Sequence, residues 1–167
     1  MQSQYVNFWR NSKHSFFILF KEEVLQIFGK WSQKDSSSLE AGGILLGERY
    51  KLGLIVTLAT QPQPTDNRKR NYFERLPFGH QEIANITYKK TSGKSIYVGE
   101  WHTHYEKRPI PSKLDLFEWN VLSIQYPKLP LLTVIVGTDD LFVGVTSLSK
   151  RIIFLPVNGR TFGERGC

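Results

Sequence analysis

Two histidines, His102 and His104, close an apolar segment, SIYVGEWHTH, that spans residues 95–104. The segment is predicted to be a strand that ends in polar side chains. Side chains two residues apart on a strand project from the same face and lie about 6.6 Å apart along it. The two imidazoles can therefore converge on one cation, provided that the fold returns another ligand-bearing segment to this strand end.

Asp115 is the candidate for the third ligand, since it falls in the first turn of a helix predicted over 113–126. Two imidazoles and a carboxylate suit zinc, and three protein ligands with an open position are typical of catalytic zinc. A plainer interpretation exists for each part. A His-x-His pair is often an ordinary pair of core or surface histidines, and Ser112-x-x-Asp115 matches a helix capping box.

The rest of the chain reads as strands with interspersed helices, which favours an α/β or α+β fold class. In helix 113–126, one buried face is expected, formed by Leu114, Phe117, Val121, Leu122 and Gln125. Residues 51–53 are predicted to be a tight turn, and residues 61–70 a loop. The other predicted elements are strands 15–20, 40–50, 54–60, 131–137, 141–147 and 151–157, and helices 21–31 and 79–90.

Composition narrows the class of protein. A chain of 167 residues predicts a single domain over 1–167, with its core over about 15–157. One cysteine, Cys167, excludes an internal disulfide framework and any zinc site that needs several thiolates. No apolar run approaches the roughly 20 residues of a membrane span, and the first residues lack the apolar region of a signal peptide. A soluble cytoplasmic protein is expected, with no membrane partner.

The formal net charge is +7, which favours acidic partners in general. Its basic clusters are short, and the one at 68–70 is interpreted, like the others, as a solvated loop. No zinc-finger spacing or aromatic RNA-binding signature accompanies them, so a nucleic-acid partner is not expected. Charge alone leaves the function open.

The full spacing, His102-x-His104, seven residues, then Ser112-x-x-Asp115, resembles the JAMM signature of the JAB/MPN metalloproteases. Glu40, ahead of Ala-Gly-Gly, fits the position of that family's upstream glutamate. The resemblance implies a mixed β-sheet curled like a partial barrel and flanked by helices, similar to cytidine deaminases. Tyr105 stands where the family usually has proline, a change that removes no ligand but bears on the shape of the following loop.

The resemblance also implies a mechanism. One Zn²⁺ per chain would be held by His102, His104 and Asp115. Glu40 would accept a proton from the attacking water and pass it to the leaving amine, and Ser112 would donate a hydrogen bond to the developing oxyanion. The substrate would lie extended beside the metal, flanked by loops 61–75 and 105–111.

A narrower resemblance rests on GEWHTH, on EAGG upstream and on Trp119 after Asp115. These match the small bacterial JAB proteins that accompany CBASS antiphage operons. The implied activity is that of a deubiquitinase-like isopeptidase, which cleaves after the conjugated C-terminus of a cGAS/DncV-like (CD-NTase-type) nucleotidyltransferase. Two alternatives stay open: a non-catalytic JAB-like binding module, and a RadC-like DNA-associated protein. Neither the oligomeric state nor a role for Cys167 follows from the sequence.

Overall fold

The framework is a curled mixed sheet. The computed structural model describes residues 5, 7–11, 13, 15–148 and 150–156, and Cys167 lies outside them. In this part of the chain the strands are β1 (Phe8–Asn11), β2 (Phe16–Phe20), β3 (Gly42–Tyr50), β4 (Gly53–Ala59), β5 (Asn67–Lys69), β6 (Tyr72–Glu74), β7 (Ile96–Thr103), β8 (Leu131–Val136), β9 (Leu141–Ser147), β10 (Lys150–Ile153) and β11 (Leu155–Pro156). The helices are α1 (Glu22–Trp31), α2 (His80–Lys90) and α3 (Lys113–Gln125).

Nine of these strands pair in the order β10-β9-β8-β7-β3-β4-β2-β1-β11, while β5 and β6 form a separate hairpin. The last described segment reaches both edges of the sheet. β10 pairs with β9, and β11 pairs with β1. Between them, the Phe154 amide donates to the Val143 carbonyl at 2.9 Å. The sheet is therefore nearly closed, which confirms the predicted fold class and leaves little unpaired edge.

Strand β7 lies inside the sheet, antiparallel to β3 and parallel to β8. Parallel neighbours need a crossover connection, and α3 lies within it. This connection leaves β7 at the end where the two histidines lie, and the first turn of α3 lies beside that end. On the other face, α1 buries Val24, Leu25 and Phe28. The Phe28 ring packs 5.1 Å from that of Trp101, which ties the helix to β7.

Most predicted elements are confirmed to within a few residues, including the turn at 51–52, but the description of residues 61–70 as loop is wrong at its end. Residues 67–69 form β5, which pairs with β6. Each strand of this hairpin has three residues, too few for an alternating pattern to show. The predicted strand 151–157 is interrupted at Phe154, where the chain passes from one sheet edge to the other; residue 157 lies outside the described part.

The predicted buried face of α3 is also wrong. The helix buries Asp115, Trp119 and Ser123 instead. Phe117 is 65% exposed, and Leu114 and Val121 are exposed as well. The Trp119 ring stacks on Phe142 of β9 at 5.9 Å. Asp115 and Trp119 are one helical turn apart, so docking that pair against the sheet turns the apolar stripe outward.

No helix among the described residues has both the length and the hydrophobicity that crossing a membrane requires.

Candidate metal centre and groove

Three side chains meet where β7 ends and α3 begins. The Nε2 atoms of His102 and His104 lie 3.2 Å apart. Asp115 Oδ1 is 3.1 Å from His102 Nε2, and its Oδ2 is 3.4 Å from His104 Nε2. Each residue offers a ligand atom, and these atoms all lie within 4.8 Å of one another. The structure thus brings together the three predicted ligands.

This donor set fits zinc. Ligand atoms bound tetrahedrally at about 2.0 to 2.1 Å lie about 3.3 Å from each other, which matches the 3.2 Å between the two imidazole nitrogens. Burial alone would raise the pKa of Asp115, but hydrogen bonds with His102 and His104 outweigh it and hold that pKa well below its usual range. Burial opposes protonation of His104, yet the Asp115 carboxylate overcomes this and raises the pKa of the imidazole. The Asp115 carboxylate is therefore ionised and can bind a cation at this point.

The capping box is also present, so the two interpretations of Ser112-x-x-Asp115 are compatible. The Ser112 amide donates to Asp115 Oδ2 at 2.6 Å, and the Asp115 amide donates to Ser112 Oγ at 3.1 Å. Asp115 Oδ1 remains directed at His102. Because Ser112 Oγ acts as an acceptor in the cap, its own hydroxyl proton is available to another acceptor.

Glu40 approaches the same centre from the neighbouring strand. Gly42 of β3 pairs with His102, and the Ala41 carbonyl accepts from the Thr103 amide at 2.8 Å. Continued by one residue, this antiparallel register sets Glu40 opposite His104. The carboxyl group is largely buried, and burial raises the pKa of Glu40 to about 7, against the opposing effect of His104. A carboxyl that titrates near neutrality suits proton transfer.

The two glycines after Glu40 are required by close packing. A Cβ on Gly42 would lie 2.5 Å from the Trp101 carbonyl oxygen, and one on Gly43 would lie 2.3 Å from that of Thr60. Both contacts are too short for any side chain. Another backbone approaches closely at both glycines, which explains how Glu40 comes so near β7.

One groove of about 630 Å³ is lined by all of the predicted site residues: Glu40, His102, His104, Ser112 and Asp115. One wall is α3, where Leu114, Phe117 and Val121 face the groove. The opposite wall is the hairpin segment 70–75. The expectation that loops 61–75 and 105–111 flank the site is confirmed in part, by residues 70–75 and 105–106. An extended peptide has room between these walls.

The loop that begins at Tyr105 keeps its path without a proline at position 105. The Thr138 amide donates to the Glu106 carbonyl at 2.8 Å, and the Asp140 amide donates to that of Lys107 at 3.0 Å. Pro109 is buried and would contact any side chain placed at Gly137. The neighbouring turn at 137–140 therefore supports the path of the loop towards Ser112.

Two polar clusters, one in the groove lining and one outside it, are not predicted by the sequence. In the first, Arg75 pairs with Glu100 at 2.7 Å, on the face of β7 that also carries His102. In the second, the buried His80 ring lies 2.6 Å from Thr60 Oγ1 and 3.0 Å from Asp66 Oδ2. The residues of each cluster are 14 to 25 positions apart. No local spacing marks such pairs. Only the position of Glu100, two residues before His102, was a usable signal.

The comparisons with known proteins bear directly on this geometry. Residues 21–147 match the family described as prokaryotic homologs of the JAB domain. The chain belongs to that family. The matched part of this JAB domain contains all five of the predicted site residues, and it extends from the start of α1 to the end of β9.

Curated relatives cover most of the JAB domain. A CD-NTase/cGAS isopeptidase from Pseudomonas aeruginosa is 38% identical over 92% of this chain and 99% of its own length. A protein of the same name from Escherichia coli is 35% identical over 81% of this chain and 90% of its own length. The solution structure of a Desulfitobacterium hafniense protein superposes with a TM-score of 0.60 over 81% of this chain and 88% of the other, at 15% identity. That structure supports the fold alone.

Proposed function

We propose that this JAB domain is a zinc-dependent JAMM-type isopeptidase that releases a CD-NTase-type nucleotidyltransferase from conjugates formed through its C-terminus, in CBASS antiphage defence. The observation that carries the proposal is the convergence of His102, His104 and Asp115 in a groove that also holds Glu40. The relatives named CD-NTase/cGAS isopeptidase support the substrate, since they match over 81% and 92% of the chain.

Zinc would be held by His102, His104 and Asp115. When bound, it supplies positive charge that polarises a carbonyl group and favours ionisation of water. Since a carboxylate with a pKa near 7 exchanges protons readily at neutral pH, Glu40 takes the proton of the attacking water. It then passes that proton to the amine that leaves, so the carboxylate is restored.

Ser112 acts on the carbonyl oxygen. Its Oγ is held by the hydrogen bond that it accepts from the Asp115 amide, which leaves the hydroxyl proton available to donate. A donor fixed before the reaction stabilises negative charge on the oxyanion without the cost of reorienting it. Ser112 therefore both begins α3 and assists the reaction.

The substrate's C-terminal segment binds in the groove between α3 and residues 70–75. Backbone hydrogen bonds to an extended peptide supply affinity that depends little on sequence. The exposed Phe117 and Leu114 side chains supply apolar contact area. Selection of the substrate then comes from the folded protein that precedes the bond.

The test is a CD-NTase-type nucleotidyltransferase from the same bacterium, fused at its C-terminus to a reporter protein. Wild-type protein with zinc is expected to cut once, directly after the last native residue. A chelator and the Glu40→Gln variant are each expected to abolish cleavage, the latter with zinc retained. Loss of general acid–base catalysis is expected to cost about 10²- to 10⁴-fold or more.

Two outcomes would contradict the proposal. The reporter could stay attached in the presence of zinc, which would favour a binding module. Alternatively, unrelated unfolded proteins could be degraded equally well, which would indicate a general protease. A Glu40→Gln variant with a near-normal rate would show that the base lies elsewhere.

A further inference from the structure

The β5–β6 hairpin holds the main chain of Glu40 on both sides. The Glu40 amide donates to the Lys69 carbonyl at 2.8 Å. Arg68 Nε donates to the Glu40 carbonyl at 2.7 Å, and its Nη2 donates to that of Leu39 at 3.3 Å. Glu40 lies two residues before β3 begins, so these bonds take the place of a sheet ladder.

Arg68 is itself fixed from the far side. Its guanidinium carbon lies 4.9 Å from the centre of the Trp31 ring, at the end of α1. The Trp31 indole donates to Gln61 at 3.1 Å, which sets the orientation of the ring. A planar guanidinium stacked on an aromatic ring loses little further freedom when it hydrogen-bonds. Arg68 is thus a rigid link between α1 and the backbone at 39–40, and the interpretation of cluster 68–70 as a solvated loop is wrong at this residue.

The hairpin is anchored to the strand that carries the histidines. Asp66 accepts from the Leu76 amide at 3.0 Å and so joins the two ends of the hairpin. His80 joins Asp66 to Thr60, whose carbonyl accepts from the Trp101 indole at 3.0 Å. Trp101 precedes His102. A continuous set of hydrogen bonds therefore fixes the hairpin relative to the metal ligands.

We propose that Arg68 is a positioning residue for Glu40, because its guanidinium fixes the Leu39–Glu40 main chain and thereby aims the Glu40 carboxylate at the space beside His104. The proposal rests on the proposed function, in which Glu40 moves the proton. Arg68 itself touches no reacting atom. The groove wall is formed by residues 70–75, whereas the Arg68 guanidinium lies over Trp31.

This arrangement predicts a specific kinetic effect. A misplacement of about 1 Å at a reacting group costs about 10²-fold in rate. We expect Arg68→Met to lower kcat ten- to a hundredfold with little change in KM, and with zinc content unchanged. Arg68→Lys keeps the charge and one donor, so its kcat is expected to lie between those of Arg68→Met and the wild type. If Arg68→Met does not fold, Arg68→Lys alone carries the test, since an unchanged kcat in that variant overturns the proposal.

Lys30→Met is the matched control. Lys30 Nζ also lies over the Trp31 ring, at 5.5 Å, and its hydrogen bond goes to Gln61 rather than to Glu40. The variant removes the same charge from the same ring and is expected to retain wild-type kcat. An equal loss of kcat in Lys30→Met would show that charge or packing at Trp31 is responsible, and would overturn the role of Arg68.

A double-mutant cycle separates positioning from a general structural effect. In a Glu40→Gln background, Arg68→Met is expected to have no further effect on the residual single-turnover rate, because the group that it positions is already inactive. An additive loss would overturn the proposal.

Hydrogen exchange of the metal-free protein gives a readout without activity. The Glu40 amide is expected to be protected in the wild type and to exchange at least tenfold faster in Arg68→Met, with protection of β7 unchanged. Equal protection would overturn the inference whether or not the conjugate is cleaved. Conversely, a wild-type protein that fails to cleave, but shows this difference in exchange, would contradict the proposed function alone.

Discussion

His102 Nε2 and His104 Nε2 lie 3.2 Å apart at the end of β7, with the Asp115 carboxylate facing both rings. Two imidazole nitrogens so close, beside a carboxylate whose pKa is held low, are arranged for a shared cation.

We therefore expect about one zinc per chain by elemental analysis of the purified protein, and none in the His102→Ala, His104→Ala double variant. Removal of zinc by a chelator is expected to lower Tm, because a ligand that binds only the folded state stabilises it by about 2.7 kcal/mol at a hundredfold excess over Kd. Glu118→Gln removes a carboxylate that lines the same groove but is not among the three ligands, so it serves as the control. Full zinc content in the double variant would contradict the assignment.

Glu40 predicts a pH dependence of stability in the metal-free protein. Its pKa rises from 4.5 to about 7 because of burial, so the folded state resists ionisation. Stability is unaffected below pH 4.5 and falls as the pH rises through about 7. Glu40→Gln is expected to raise the free energy of unfolding by about 1 to 3 kcal/mol at pH 8.5 and to leave it unchanged at pH 4. Urea unfolding at the two pH values measures this, and an equal difference at both would rule out the buried carboxyl as its cause.

Substitution of His80, which lies outside the groove lining, is expected to lower the stability of the protein. The side chain is 1% exposed and joins Thr60 to the buried Asp66. His80→Leu leaves both partners without this bond, and a buried polar group that loses a hydrogen-bond partner costs about 1 to 3 kcal/mol. The neighbouring Gln81→Leu, at an exposed position, is expected to change the free energy of unfolding by less than about 0.5 kcal/mol. Similar thermal unfolding of the two variants would count against a structural role for the cluster.

Substitution of Phe117 is expected to affect substrate binding and not stability. It is 65% exposed and lines the groove, so Phe117→Ser is expected to leave Tm nearly unchanged and to raise KM for the conjugate several-fold. Ile124 is 59% exposed on the same stripe of α3 and is not among the groove residues. Ile124→Ser is therefore expected to leave both quantities unchanged. A fall in Tm for Phe117→Ser, or an equal rise in KM for Ile124→Ser, would contradict the groove assignment.

Which features of the fold and the site can be predicted depends on how far apart in sequence the interacting residues lie. His102, His104, Ser112 and Asp115 could be selected from the sequence because each pair carries a local signal: His-x-His at a strand end, and Ser-x-x-Asp at a helix start. The buried face of α3 was predicted wrongly, because hydrophobicity alone placed Phe117 inside. Asp115 and Trp119 are buried instead. Asp115 contacts His102, and Trp119 contacts both His102 and Phe142.

The contacts of Arg68 could not be predicted for a different reason. The residue meets Glu40 across 28 positions of sequence, through main-chain atoms that every residue possesses. No pattern of side chains marks such a bond, so a run of basic residues looks the same whether it is solvated or holds a neighbouring strand.

The double use of Asp115 has a consequence for how variants of this chain should be interpreted. One carboxylate both closes the first turn of α3 and faces the histidines. A substitution there changes the local folding of α3 and the affinity for metal together, so an inactive Asp115 variant identifies neither as the cause. His104 contributes a ligand atom without a part in the cap. A metal-free but correctly folded reference protein for genetic complementation is therefore better built at His104 than at Asp115.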